Sequence, residues 1–183
     1  MSIPLIKRMR LVAQITRGLF LTDAKHSLFG RLCQLFLRFT WELPQTLIGW
    51  IYSVTRALVG QVDRVDAFGG ITFVTKKVFK YSMGVSLGTF VDLWAAPWML
   101  GEGGRYVLGN QICMHEFGHT IDSQRFGWTY LFIIGLPSLM SAHKRDHNVF
   151  WTEIRANRHA KRYFGKYYSI AWNESGYPTE NYA

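Results

Sequence analysis

Two histidines four residues apart, with a glutamate after the first, form the string His115-Glu116-Phe117-Gly118-His119. On a helix, residues at this spacing share a face, so both imidazoles can reach one ion. Zinc is the expected ion, because it takes nitrogen and oxygen ligands in a tetrahedron. Glu116 follows the first ligand directly, where its carboxylate can take a proton from a metal-bound water. Zinc lowers the pKa of such a water to about 7 and polarises a carbonyl, which is the chemistry of peptide hydrolysis. A site of this kind needs a third protein ligand and leaves the fourth position to water.

Glu153 is the expected third ligand. It lies 34 residues after His119, within Trp151-Thr152-Glu153-Ile154-Arg155-Ala156-Asn157. Glu153 and Asn157 are again four apart and share a face. The carboxylate can bind metal while the Asn157 amide oxygen accepts a hydrogen bond from a ligand histidine, which orients the ring. The simpler alternative is a surface carboxylate paired with Arg155 or Arg158. Stabilising the oxyanion needs a donor beyond the metal. His147, His143, Tyr130 and Arg145 are candidates, and His147 is favoured because it sits at the mouth of the helix that carries Glu153. An exposed loop is the default reading for His143 and His147. His26 and His159 have no partner pattern and read as structural or solvated.

The strings H-E-x-x-H and E-x-x-A-N resemble the gluzincin arrangement of thermolysin-like peptidases, where H-E-x-x-H is followed by N-E-x-x-S-D. Thr152 stands where that pattern has Asn, and Asn157 where it has Asp. A longer similarity, over about residues 41–172, is to small bacterial HExxH domains at the C-terminal ends of Rhs-type polymorphic toxins and in related stand-alone proteins. It rests on Trp41-Glu42-Leu43-Pro44-Gln45-Thr46, Gly70-Ile71-Thr72-Phe73-Val74, Val85-Ser86-Leu87-Gly88 and residues 115–124, 130–139 and 151–164. The resemblance implies a zincin-like α+β domain. A short antiparallel or mixed sheet would precede the HExxH helix, and a C-terminal helix would carry Glu153. It also implies an effector exported by a specialised secretion system and checked by an immunity-type inhibitor. The first 40 residues lie outside it.

These groups need elements to hold them. Residues 1–60 read as helical, with Leu5, Met9, Val12, Ile15 and Leu19, then Leu28, Leu32, Leu35 and Phe39, at three- and four-residue intervals. A core-facing amphipathic helix is the commoner arrangement for such a pattern, and a membrane-surface helix is the alternative. Pro44 suits the first turn of a helix running to about Val59. After Gly69-Gly70, β-branched and aromatic residues with a period near two predict two or three short strands up to Leu93. An exposed edge among residues 84–93 would pair with an extended substrate. Pro97 and Gly101-Glu102-Gly103-Gly104 predict a loop.

Helices are predicted from about Gly109 to Arg125, with Gly127 as the stop, and from Tyr130 to about Ser141, kinked at Pro137. A basic loop over residues 143–148 precedes a last helix from about Val149 to Phe164, ended by Gly165. The polar tail, residues 173–183, is expected to be loosely held. The chain thus divides into a helical segment, 1–60, a zincin-like core, 61–172, and that tail.

The bulk composition sets limits. The chain has 183 residues, is 49% hydrophobic and 16% aromatic, and has ample apolar mass for a packed core. Trp94, Trp98 and Trp128 are expected in it. Cys33 and Cys113 are too few and too far apart for a disulfide framework, and Cys113 reads as a small core residue. The net charge of +9 favours acidic partners, although no nucleic-acid motif accompanies it and a solvated helix face is the plainer reading. No signal peptide or stretch long enough to span a bilayer is recognised.

The expected partner is a protein or peptide substrate, or a cell-wall peptide amide, with weak membrane-surface association as a further option. A metal-stabilised binding protein without turnover, or a membrane-surface protein acting through its basic helices, is the alternative function. The intact Glu116 argues against the former, since structural zinc needs no base.

Overall fold

The computed structural model describes residues 4–78, 82–96, 99 and 105–180. Pro97, Trp98 and the run 101–104 lie outside the described residues.

Three helices open the chain: α1 (Leu5–Arg17), α2 (Leu28–Phe39) and α3 (Leu43–Leu58). Ser27 caps α2 by accepting from the Gly30 amide, and Pro44 occupies the first turn of α3. Four strands follow: β1 (Arg64–Phe68), β2 (Ile71–Lys77), β3 (Met83–Leu87) and β4 (Phe90–Ala95). Then come α4 (Arg105–Gly109), α5 (Gln111–Phe126), α6 (Leu136–Ser141) and α7 (Trp151–Tyr168). The described residues therefore form an α+β fold with seven α-helices and one four-stranded mixed sheet.

The strand order is β1-β2-β4-β3. The outer pairs are antiparallel, while β2 and β4 run parallel. Strand β1 escapes the sequence pattern because it is short and carries Asp66, a residue that strands disfavour; Asp66 pairs with Arg64, and the pair is partly buried beside the Tyr106 ring. The two-residue turn Gly69-Gly70 folds it onto β2, with Phe68 opposite Ile71. Only β3 is an edge within the segment 84–93, because β4 is covered by β2 on one side and β3 on the other.

Both faces of the sheet are buried. Ile71, Phe73, Val91 and Leu93 face α5 and α7, where they meet Met114, Phe117 and Phe164. Val74 and Phe90 face α1 and α3, against Leu11, Ile15 and Ala57. The first and third helices are thus a layer of the core. A fully buried ion pair joins that layer to the sheet: Arg56 of α3 meets Asp92 of β4, which also accepts from Ser53. Burial pushes the Asp92 carboxyl up to about 6, against the opposing hydrogen bond from Ser53 and the charge of Arg56.

The second helix departs from the periodic reading. Its apolar stripe faces outward, and its buried side carries Gln34 and Arg38. Cys113 lies in the core, and burial foremost, with the Glu116 charge, pushes its thiol up to about 12. Trp128 is 55% exposed and is not a core residue, while Trp94 is half-buried beneath the Arg56 guanidinium, 4.0 Å from its ring.

Around the site, α5 and α7 cross closely at Gly118. A Cβ there would collide with the Ala156 carbonyl, so only glycine allows this approach. Between them in the chain, Leu131–Gly135 form a π-helical turn that leads into α6, with Pro137 in its first turn. The last helix continues through Gly165 to Tyr168, four residues beyond Phe164, because Tyr168 packs on Phe68 and Phe164. That packing outweighs the ~1 kcal/mol that an interior glycine costs a helix. Residues 173–180 are docked rather than free. Asn157 Nδ2 donates to the Pro178 carbonyl, Arg158 to the Thr179 carbonyl, and Lys161 pairs with Glu174.

Candidate metal centre

The helices α5 and α7 bring three donors to one point. His115 and His119 sit one turn apart on α5, and Glu153 faces them from the first turn of α7. Each Nε2 is 3.2 Å from Glu153 Oε2, and the three ligand atoms lie within 4.8 Å of one another. Glu153 is 3% exposed. The neighbouring arginines bind elsewhere: Arg155 pairs with Asp122, and Arg158 reaches the tail.

The surroundings orient these ligands. Asn157 Oδ1 accepts from His115 Nδ1 at 2.7 Å, which fixes a proton on Nδ1 and turns Nε2 towards Glu153, where it donates as imidazolium or offers its lone pair to a metal. Ser138 and Thr152 donate to Glu153 Oε1 at 2.6 and 2.8 Å, which leaves Oε2 to the histidines. Burial alone would raise the Glu153 carboxyl, but hydrogen bonds and charge from His115 and His119 hold it far below the usual carboxylate range. Burial would likewise lower His119, yet Glu153 outweighs it and lifts the imidazole to about 9. A carboxylate that holds a proton on His119 this strongly, with His115 Nε2 at the same 3.2 Å, is equally placed to share a cation with both rings. Two imidazole nitrogens and one carboxylate oxygen fit zinc.

Glu116 lies beside this cluster, 6% exposed, on the wall of a cavity of about 560 Å3. Ser86 of β3 donates to its Oε2 at 2.7 Å. Gly84, also of β3, leaves room for that carboxyl, and a Cβ there would strike it. Tyr130 donates to the Ser86 carbonyl, and burial raises its phenol well above the ordinary value.

His147 lies on the opposite rim, in a 3-10 turn before α7, with Nε2 3.7 Å from Glu153 Oε2. The Ser141 hydroxyl donates to the Ser138 carbonyl at 2.8 Å, so it accepts from His147 Nδ1. His147 Nε2 therefore carries a lone pair towards the site when neutral and donates only as imidazolium. Of the other oxyanion candidates, Tyr130 lines the cavity, whereas His143 and Arg145 are exposed and outside its lining.

Several groups around the cluster have no signal in the sequence. Ser86 and Ser138 come from a strand and a helix whose patterns read only as apolar packing. Tyr177, from the tail, stands over His115 with ring centroids 5.4 Å apart and lines the cavity. Burial pushes its phenol up to about 12. His159 is buried and bonds Asp122 at 3.0 Å, joining α5 to α7 through Arg155 as well. Those partners outweigh burial and hold Asp122 below its ordinary value.

No family model, curated protein or solved structure matches the chain.

Proposed function

We propose that the chain is a zinc-dependent peptidase of zincin-like type. The observation that carries this reading is the convergence of His115, His119 and Glu153 on one point, with the Glu116 carboxylate beside it on a cavity wall. Zinc held by the three ligands would supply a Lewis acid and an acidified water.

The chain's own groups then have definite tasks. Glu116 accepts the proton of the attacking water and returns it to the leaving amine. Ser86 holds that carboxylate in place through its 2.7 Å bond. His147, as imidazolium, and Tyr130, once its hydroxyl leaves the Ser86 carbonyl, line the cavity and can donate to a developing oxyanion. Strand β3, which among the described residues pairs only with β4, lines the same cavity and can hydrogen-bond an extended peptide backbone. The substrate class is therefore a protein, a peptide or a cell-wall peptide amide. Its use as an exported effector with an immunity-type inhibitor is part of the proposal only through the resemblance to Rhs-type toxin domains.

The test is metal content by inductively coupled plasma mass spectrometry, paired with peptide hydrolysis. About one zinc per chain is expected, and Glu153→Ala should lose most of it. Glu116→Gln should keep the zinc and lose turnover. A Glu116→Gln chain as active as the original would leave the metal with a structural role.

A further inference from the structure

The second helix is inside out. Leu28 is 73% exposed, Phe29 77%, Leu32 56% and Phe36 68%. With about 3.6 residues per turn, these side chains occupy a single face. The opposite face holds Gln34 and Arg38, at 9% and 1%. Arg38 donates to the carbonyls of Leu19, Leu21 and Gly70, and Gln34 Oε1 accepts from the Asp23 amide. Rotating α2 to bury its leucines would strand a guanidinium and several carbonyls, each costly to leave unpaired. The apolar face is thus held outward by the fold. Such a contiguous patch on a protein of this size marks an interaction site.

Charge identifies the occupant. Between Pro4 and Trp41 the exposed charged side chains are Lys7, Arg10, Arg17, Lys25 and Arg31. The one acidic residue in that span, Asp23, is buried and accepts from Tyr163. Phe20 packs at a tilt against Phe39, ring centroids 5.6 Å apart, and extends the patch. An exposed face of Leu and Phe with Lys25 just before its helix and Arg31 within it suits a lipid surface rather than a protein interface, whose core is depleted of lysine and built around pocketed anchors. Among the described residues, no helix is long and apolar enough to cross a membrane.

We propose that α2 docks this protein on an anionic lipid surface, with Leu28, Phe29, Leu32 and Phe36 in the headgroup–acyl boundary and Lys25 and Arg31 on lipid phosphates. The helix lies along the surface, with its polar side held by Arg38.

The test is co-sedimentation of the full chain with phosphatidylcholine vesicles, with and without about 30% phosphatidylglycerol. The full chain should pellet with the anionic vesicles and be released by salt. Phe29→Gln with Phe36→Gln, and separately Leu28→Ser with Leu32→Ser, should weaken binding at least about tenfold with circular dichroism and zinc content unchanged. Lys25→Glu with Arg31→Glu should weaken it on anionic vesicles only. The proposal is overturned if the original chain does not pellet, or if either folded apolar pair binds as the original does. It is also overturned if light scattering shows a dimer that these pairs dissociate without changing vesicle binding, since α2 would then face a second copy. None of these readings depends on peptidase activity.

Discussion

His115 Nδ1 lies 2.7 Å from Asn157 Oδ1, and the other end of the same amide donates to the Pro178 carbonyl at 2.8 Å. One side chain thus orients His115, a ligand of the proposed metal site, and anchors the C-terminal segment that carries Tyr177 over that ring. The two hydrogen bonds need an amide: a carboxylate would keep the first and lose the second.

Substituting Asn157→Ala should therefore weaken zinc binding by about 10- to 100-fold, the range seen when a ligand histidine loses its orienting partner. Asn157→Asp should hold zinc at least as well but release the tail, because two oxygens would face each other at Pro178. Zinc competition titrations report the first effect. Hydrogen exchange over residues 173–180 reports the second, and unchanged protection there in Asn157→Asp would refute the anchoring role.

Ser86 has one hydroxyl proton, within reach of both the Glu116 carboxylate and the Glu116 carbonyl, so its loss should cost less than loss of the base. Glu116→Gln should reduce kcat by about 100- to 10,000-fold with zinc retained. Ser86→Ala should reduce it by roughly tenfold, in line with a net hydrogen bond of ~1 kcal/mol. Equal losses in the two variants would place Ser86 in the chemistry rather than in support.

Gly118→Ala adds one methyl group at the crossing of α5 and α7, against the Ala156 carbonyl. Overpacking of this kind costs about 1–3 kcal/mol. Because the two helices carry all three ligands, zinc affinity should fall together with the unfolding midpoint. A variant that loses stability and keeps its zinc affinity would show that the crossing does not set the ligand geometry.

Glu42 gives a pH dependence of known sign. It is buried, and burial pushes its carboxyl up to about 7, partly offset by a hydrogen bond from Ser123 and the charge of Arg38. The folded chain therefore holds a proton that the unfolded chain releases near 4.5. The stability this group contributes is full below about 4.5 and is lost as pH rises through about 7. Glu42→Gln should match the original chain near pH 4 and exceed its stability by about 1–3 kcal/mol at pH 8. Comparing the two by urea unfolding at both pH values cancels the titration of the metal ligands. A difference independent of pH would contradict the assignment.

Removing metal should also destabilise the fold, because α5 and α7 meet at the ligand cluster. Chelation is expected to lower the melting temperature, with an effect that grows with free zinc in the control. A melting temperature insensitive to chelator would mean that the cluster binds no ion tightly.

The local features of this protein are written in its sequence. The four-residue spacings of His115 with His119 and of Glu153 with Asn157 place each pair on one helical face, since helix geometry alone decides that. The first-turn proline of α3 and the turn at Gly69-Gly70 are local signals of the same kind. Periodicity also marks an apolar stripe on α2, but it says nothing of which way the stripe points.

That choice belongs to the tertiary structure, where the carbonyls of Leu19, Leu21 and Gly70 converge on Arg38 and turn the helix polar side in. The same holds for Ser86 beneath Glu116, 30 residues away, and for Tyr177 over His115. It holds too for β1, whose charged residues hide a strand that its hairpin partner creates. Each depends on groups distant in sequence becoming neighbours, and hydrogen bonds between such groups have no period to read.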